Sequence, residues 1–95
     1  MQTQKYALVT GGNRGIGLEV CRKLVQHGKP VLLTARSAEA AQRAAQQLRG
    51  STSVDVQAFA LEAGDANSIS QLVKNLGQYD QKIDLLVRIG MAIGG

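Results

Sequence analysis

Tyr6-Ala7-Leu8-Val9-Thr10-Gly11-Gly12-Asn13-Arg14-Gly15-Ile16-Gly17 joins a short apolar run to a glycine-rich turn and then to a helical pattern. The apolar run reads as a buried strand, and from Ile16 onward Val20 and Leu24 recur at four-residue spacing, with Cys21 and Val25 beside them. A strand that turns through glycines straight into a helix suits a pyrophosphate. Gly11 lets the chain turn sharply off the strand, Gly15 lets backbone approach a phosphate with no Cβ in the way, and Gly17 lets the helix pack closely on the sheet. The helix then directs unpaired N–H groups and the positive end of its dipole at the anion. Three glycines also recur by chance, so the alternative is a glycine turn with no ligand, and the strand–turn–helix context weighs against it.

Working outward, the hydrophobic period alternates in type. His27 and Gly28 close the first helix, with the glycine as a left-handed cap and the histidine at the negative end of the dipole. Pro30 stops the helix resuming, and Val31-Leu32-Leu33-Thr34-Ala35 is a second strand. Ser37 caps a helix that carries Glu39 in its first turn, shows a face of Ala41, Ala44, Ala45 and Leu48, and stops at Gly50. Val54 to Leu61 alternates and ends apolar, as a third strand does. Asp65 or Asn67 caps a third helix with a face of Ile69, Leu72, Val73 and Leu76, and Leu85-Leu86-Val87 begins a fourth strand. Strand and helix alternating three times, then a strand, predicts an α/β Rossmann-type parallel sheet with right-handed crossovers. The expected strand order is 3-2-1-4, with the first two helices on one face and the third on the other.

Composition narrows the function classes. At 95 residues the chain has room for one small domain, and no apolar run approaches the roughly 20 residues that span a bilayer. The single Cys21 excludes an internal disulfide framework and a multi-cysteine zinc site, which favours a reducing, cytoplasmic setting. Net charge is +4 but lopsided: residues 1–50 carry eight Lys/Arg against Glu19 and Glu39, and residues 51–95 carry three against five acids. The cations are scattered, and two tyrosines and one phenylalanine are too few to interleave them for base stacking, which argues against a nucleic-acid partner and for a compact anionic ligand. Gly-Lys-Ser/Thr does not follow the glycines, so a phosphate-loop NTPase is excluded. A methyltransferase-like site for S-adenosylmethionine is disfavoured because an acid is usual where Arg36 stands.

The run Thr10-Gly11-x-x-x-Gly15-Ile16-Gly17 resembles the cofactor motif of short-chain dehydrogenases/reductases. The stretches from Tyr6 to Arg22 and from Val31 to Arg36 look especially like the carbonyl reductase and plant salutaridine/menthone reductase branch. The resemblance runs from Lys5 to about Val87 and implies an NADP(H)-dependent carbonyl or alcohol oxidoreductase. Its implied cofactor contacts are Gly11, Asn13, Arg14, Gly15, Ile16, Gly17, Arg36, Glu62 and Gly90. The choice of nicotinamide cofactor follows from charge. An acid at the end of the second strand would accept the ribose hydroxyls of NAD and repel a 2′-phosphate, whereas Arg36 matches a phosphate in bidentate geometry. Arg14, inside the loop, lies where the family also places a basic residue for that phosphate. After the third strand the family usually has an Asp at the adenine; Glu62 takes that place here, either as a longer acceptor or as an exposed strand-end carboxylate.

Two departures qualify what the resemblance implies. The fourth strand of the family runs into Asn-Asn-Ala-Gly, where this chain has Arg88-Ile89-Gly90-Met91. Allowing one deletion, Gly90 keeps the motif glycine, and both asparagines are lost. An Arg88 inside a central strand would be costly unless paired, and much less so on an exposed edge. The family's catalytic Ser and Tyr-x-x-x-Lys are not found either: Thr10 stands four residues after Tyr6, Ile83 four after Tyr79, and Lys82 only three beyond Tyr79. The expectation is therefore an NADP(H)-binding half of a Rossmann domain over residues 1–95 without the catalytic half, and with no catalytic residue to assign. A non-enzymatic NADP(H)-binding or interaction module that pairs with another chain is the alternative. With Leu85, Leu86, Val87 and Ile89 on an open edge and Arg88 as the only charge there, self-association through the fourth strand is expected.

Overall fold

The computed structural model describes residues 5–11, 15–50, 53–62, 64–79 and 82–88. Its elements alternate as β1 (Tyr6–Thr10), α1 (Gly15–Gln26), β2 (Val31–Ala35), α2 (Ala38–Arg49), β3 (Val56–Ala60), α3 (Ala66–Asn75), a 3-10 turn (Gly77–Tyr79) and β4 (Ile83–Arg88). The four strands form one parallel sheet in the order β3-β2-β1-β4. Register pairs Val9 with Leu33 and Val87, and Ala35 with Ala60.

Strand side chains alternate between faces, so this register sorts the sheet into two surfaces. Val9, Val31, Leu33, Ala35 and Val56 share one core with Cys21 and Val25 of α1 and with Ala41, Ala44, Ala45 and Leu48 of α2. The three buried alanines of α2 let that helix lie close to the strands. Leu48 closes the gap at 1% exposure, and its truncation to Ala would cost about 2–5 kcal/mol. Leu32, Thr34 and Phe59 have the opposite parity and look toward the face covered by α3, because the crossover to β4 runs the other way across the sheet. There Phe59 and Tyr6 both meet the Tyr79 ring edge-on, with centroids 6.2 and 5.0 Å away.

The caps follow the local chemistry. The Ser37 hydroxyl accepts from the Ala40 N–H and the Asp65 carboxylate from the Asn67 N–H. Gly28 ends α1 at φ +81°, and the His27 ring hydrogen-bonds the Lys23 carbonyl at 2.8 Å.

The helix faces differ in detail from the periodic reading. In α1 the buried line is Gly17, Cys21 and Val25, while Ile16 is 73% exposed. In α3 only Leu72 is buried, and Ile69 and Val73 stay exposed. Ile16 lies in the first turn of α1, one position off that buried line. α3 reaches the sheet with a single ridge. The fourth strand starts earlier than Leu85, at Ile83, and so includes Asp84, which pairs with Lys29 beside the start of β2. Arg88 is thus not the only charge on that strand.

Candidate functional site

All four strands point the same way, so the C-terminal ends of β1, β2, β3 and β4 open on one rim. At β1 the topology reverses: the chain leaves on one side for β2, while β4 lies on the other. That switch point forms a crevice at the carboxyl ends of the strands, where ligands of such sheets bind. Gly11, the residue after β1, stands at that switch point.

Two threonines fix the start of the turn. The Gly11 N–H donates to the hydroxyl of Thr34, 3.2 Å away on β2, and the Thr10 hydroxyl reaches the Val87 carbonyl on β4 at 3.5 Å. Thr34 is buried at 1% exposure, the one polar residue in the core among those described. The periodic reading passed over it, although a hydroxyl within Val31-Leu32-Leu33-Thr34-Ala35 is the signal that could have found it. Gly11 turns at φ +71°, as the sharp exit from the strand requires. Gly15 sits at φ +61°, and a Cβ built on it meets nothing within 4 Å among the described residues. Gly17, one step inside the helix, is buried, as close helix–sheet packing demands. The first turn of α1 carries no acid, so no carboxylate within it offsets the positive end of the helix dipole. Asn13, Arg14, Ile89 and Gly90 lie outside the described residues.

Arg36 follows β2 on the same rim, between the buried strand and the Ser37 cap, with its side chain 81% exposed. Glu62 follows β3, its side chain 52% exposed and one carboxylate oxygen 3.8 Å from the Arg36 Nε. Arg88 ends β4, exposed, in register with Thr10. Gly11, Arg36 and Glu62 thus stand just past the same ends of adjacent strands, with Gly15, Ile16 and Gly17 opening α1 after β1. The left-handed Gly15 opening α1 and the exposed Arg36 guanidinium are features that a phosphorylated dinucleotide could use. Among the described residues no cluster of His, Cys, Asp or Glu could hold a metal.

The titrating groups lie elsewhere. Tyr6 begins β1 and Asp55 precedes β3, so the pair stands at the opposite end of the sheet from the glycine turn. The Tyr6 hydroxyl donates to the Asp55 carboxylate, which also accepts from the Gln57 amide at 2.6 Å. That hydrogen bond first, then burial, push the Tyr6 phenol up to about 12. Tyr79 is raised by burial and then by the Asp55 charge, and burial pushes the Cys21 thiol up to about 12. Both tyrosines are parts of an aromatic and hydrogen-bonded staple, and Cys21 is a core residue of α1.

Residues 5–91 match the short chain dehydrogenase family. The chain is 36% identical to the (+)-neomenthol dehydrogenase of Arabidopsis thaliana over 97 aligned positions, covering 99% of this chain and 32% of that protein. Menthone neomenthol reductase from Mentha piperita superposes with a TM-score of 0.82 at 30% identity, over 94% of this chain and 32% of that one. The Pseudomonas aeruginosa RhlG/NADP active-site complex superposes with a TM-score of 0.79 at 33% identity, over 92% and 34%. The chain therefore spans about a third of the length of the relatives it matches. No helix among the described residues is long and apolar enough to cross a membrane. With the glycine turn, the parallel sheet and these likenesses in agreement, the chain belongs to the short-chain dehydrogenase family.

Proposed function

We propose that residues 1–95 are the NADP(H)-binding portion of a carbonyl or alcohol oxidoreductase and turn over no substrate by themselves. The observation that carries the reading is Arg36: an exposed guanidinium just past β2, the strand paired beside β1, whose end leads to Gly11. The pyrophosphate would lie against Gly11, Gly15 and the N–H groups opening α1, with Asn13 and Ile16 lining the same turn. The 2′-phosphate would lie between Arg36 and Arg14, and Glu62 and Gly90 would flank the adenosine. The RhlG relative was solved with NADP, which supports the same cofactor class here. When bound, the reduced nicotinamide supplies a hydride to a carbonyl carbon. The residues described above orient the cofactor, and none of them stands as a proton donor at the crevice. The buried thiol of Cys21 suits a reducing, cytoplasmic setting.

The test is calorimetric titration of NADPH and NADH against the chain and its Arg36→Asp variant. A charge-assisted phosphate contact contributes roughly 1.5–3 kcal/mol, or about tenfold or more in affinity. NADPH should bind more tightly to the native chain, and the variant should reverse the order. Equal affinities for the native chain would remove Arg36 from the site.

A second reading, a binding module that pairs with another chain, draws on one observation. Leu85 and Leu86 of β4 are 40% and 57% exposed on a strand that pairs, among the described residues, on one side only. Such an edge invites a further strand, from a second copy or from another polypeptide.

A further inference from the structure

We propose that Glu62 is a specificity-determining residue: a built-in counter-ion for Arg36 that a 2′-phosphate must displace, so that it restrains the preference for NADP(H). The inference rests on the cofactor reading above and goes beyond it by giving Glu62 a role opposed to the phosphate in addition to its place beside the adenosine.

The juxtaposition is built by the sheet. Ala35 and Ala60 are register partners, and the Leu61 N–H still donates to the Ala35 carbonyl at 2.7 Å, one residue past the end of β3. The chains are therefore still paired where Arg36 and Glu62 leave them. Each residue is then held at its root. Arg36 precedes Ser37, whose hydroxyl caps α2. The Glu62 N–H donates to the Ser68 hydroxyl on α3 at 2.8 Å, and its carbonyl accepts from the Asp65 N–H at 2.9 Å. Asp65 in turn caps α3. Two helix caps and a strand ladder thus fix the two backbones side by side, while both side-chain tips stay in solvent.

Their charges meet at 3.8 Å, and no other carboxylate among the described residues lies within 4 Å of Arg36. An exposed pair of this kind is weak and readily broken, which is what a displaceable counter-ion needs. A phosphate arriving at Arg36 must either expel the Glu62 carboxylate or accept it as a neighbouring like charge. Both effects weaken NADP(H), and neither acts on NAD(H), which has only hydroxyls at that position. The residue is thereby a brake on discrimination, set by one side chain without touching the glycine turn.

The experiment is titration of NADPH, NADH, 2′,5′-ADP and 5′-AMP against the native chain and Glu62→Gln at low ionic strength. Gln keeps the length and an acceptor oxygen, so a contact to adenine survives the change. Expected is a rise of roughly two- to fivefold, the span of an exposed ion pair, in the affinity of NADPH relative to NADH and of 2′,5′-ADP relative to 5′-AMP. The ratio between phosphorylated and unphosphorylated ligands is its own control, since a folding defect would weaken all four together. A native chain that prefers NADPH, with the same ratio in Glu62→Gln, overturns the role of Glu62 and leaves the cofactor reading standing. A native chain that binds neither dinucleotide, or both equally, overturns the cofactor reading and this inference with it.

Discussion

Gly15 and Gly28 make a matched pair that separates a cofactor turn from an ordinary glycine turn. Both have positive φ, +61° and +81°, and a Cβ added to either meets nothing within 4 Å among the described residues. Substitution by Ala therefore costs the same in each, the left-handed conformation itself, at about 1–2 kcal/mol. With no clash to add, a domain of this size should lose roughly 4–8 °C of Tm for each kcal/mol in both variants. They differ in place alone. Gly28 closes α1 at its far end, whereas Gly15 opens that helix on the crevice, where the empty space at its α-carbon is the space a pyrophosphate would fill. Gly15→Ala should accordingly weaken NADPH by tenfold or more, about 1.4 kcal/mol or above, and Gly28→Ala should leave affinity unchanged. The assay is thermal unfolding of both variants followed by calorimetric titration at a temperature where each is folded. Equal affinity in the two variants would refute the reasoning, because the openness at Gly15 would then be plain solvent.

Other outcomes follow from the same structure. The 95-residue chain should show no carbonyl-dependent NADPH oxidation above background, since a hydride donor without a positioned acid lacks a factor of about 10²–10⁴ in rate; sustained turnover with an added ketone, free of contaminating reductase, would contradict this. Sedimentation across a concentration series should show self-association that Leu86→Lys reduces, because a charge on an open strand edge opposes pairing; a monomer at every concentration would contradict it. Stability should be full below about pH 9 and fall as pH rises toward 12, because the Tyr6 phenol and Cys21 thiol are both held neutral in the fold, up to about 12. A group whose folded pKa is raised loses its contribution as pH passes from the unfolded to the folded value. Tyr6→Phe should shallow that fall between pH 10 and 12 and lower stability at neutral pH by roughly 0.5–1.5 kcal/mol; an unchanged alkaline profile in the variant would show that the Asp55 contact contributes nothing.

Much of this protein was legible along the chain because the deciding signals are local. A period switching between strand and helix, glycines at a strand end and Ser37 or Asp65 ahead of a helix each act over a few residues. Parallel pairing and handed crossovers then leave few arrangements, and the order β3-β2-β1-β4 is the one that alternation predicts. The basic end of β2 was legible for the same reason, since Arg36 is placed by the strand that precedes it.

Tertiary structure decided whatever depends on what lies opposite. A helical period says which residues share a face, but not which line of that face meets the sheet. Cys21 and Val25 are therefore core while Ile16 is not, and Leu72 is covered while Ile69 and Val73 are not. The Thr34 hydroxyl holds Gly11 from a neighbouring strand, Asp84 meets Lys29 and Tyr6 meets Asp55, each across a separation that no periodicity registers. Arg36 and Glu62 were each visible as candidate contacts, and their opposition was not. It arises because the β2–β3 ladder runs one residue past its last strand position, and a shared rim is a property of paired strands rather than of either strand alone.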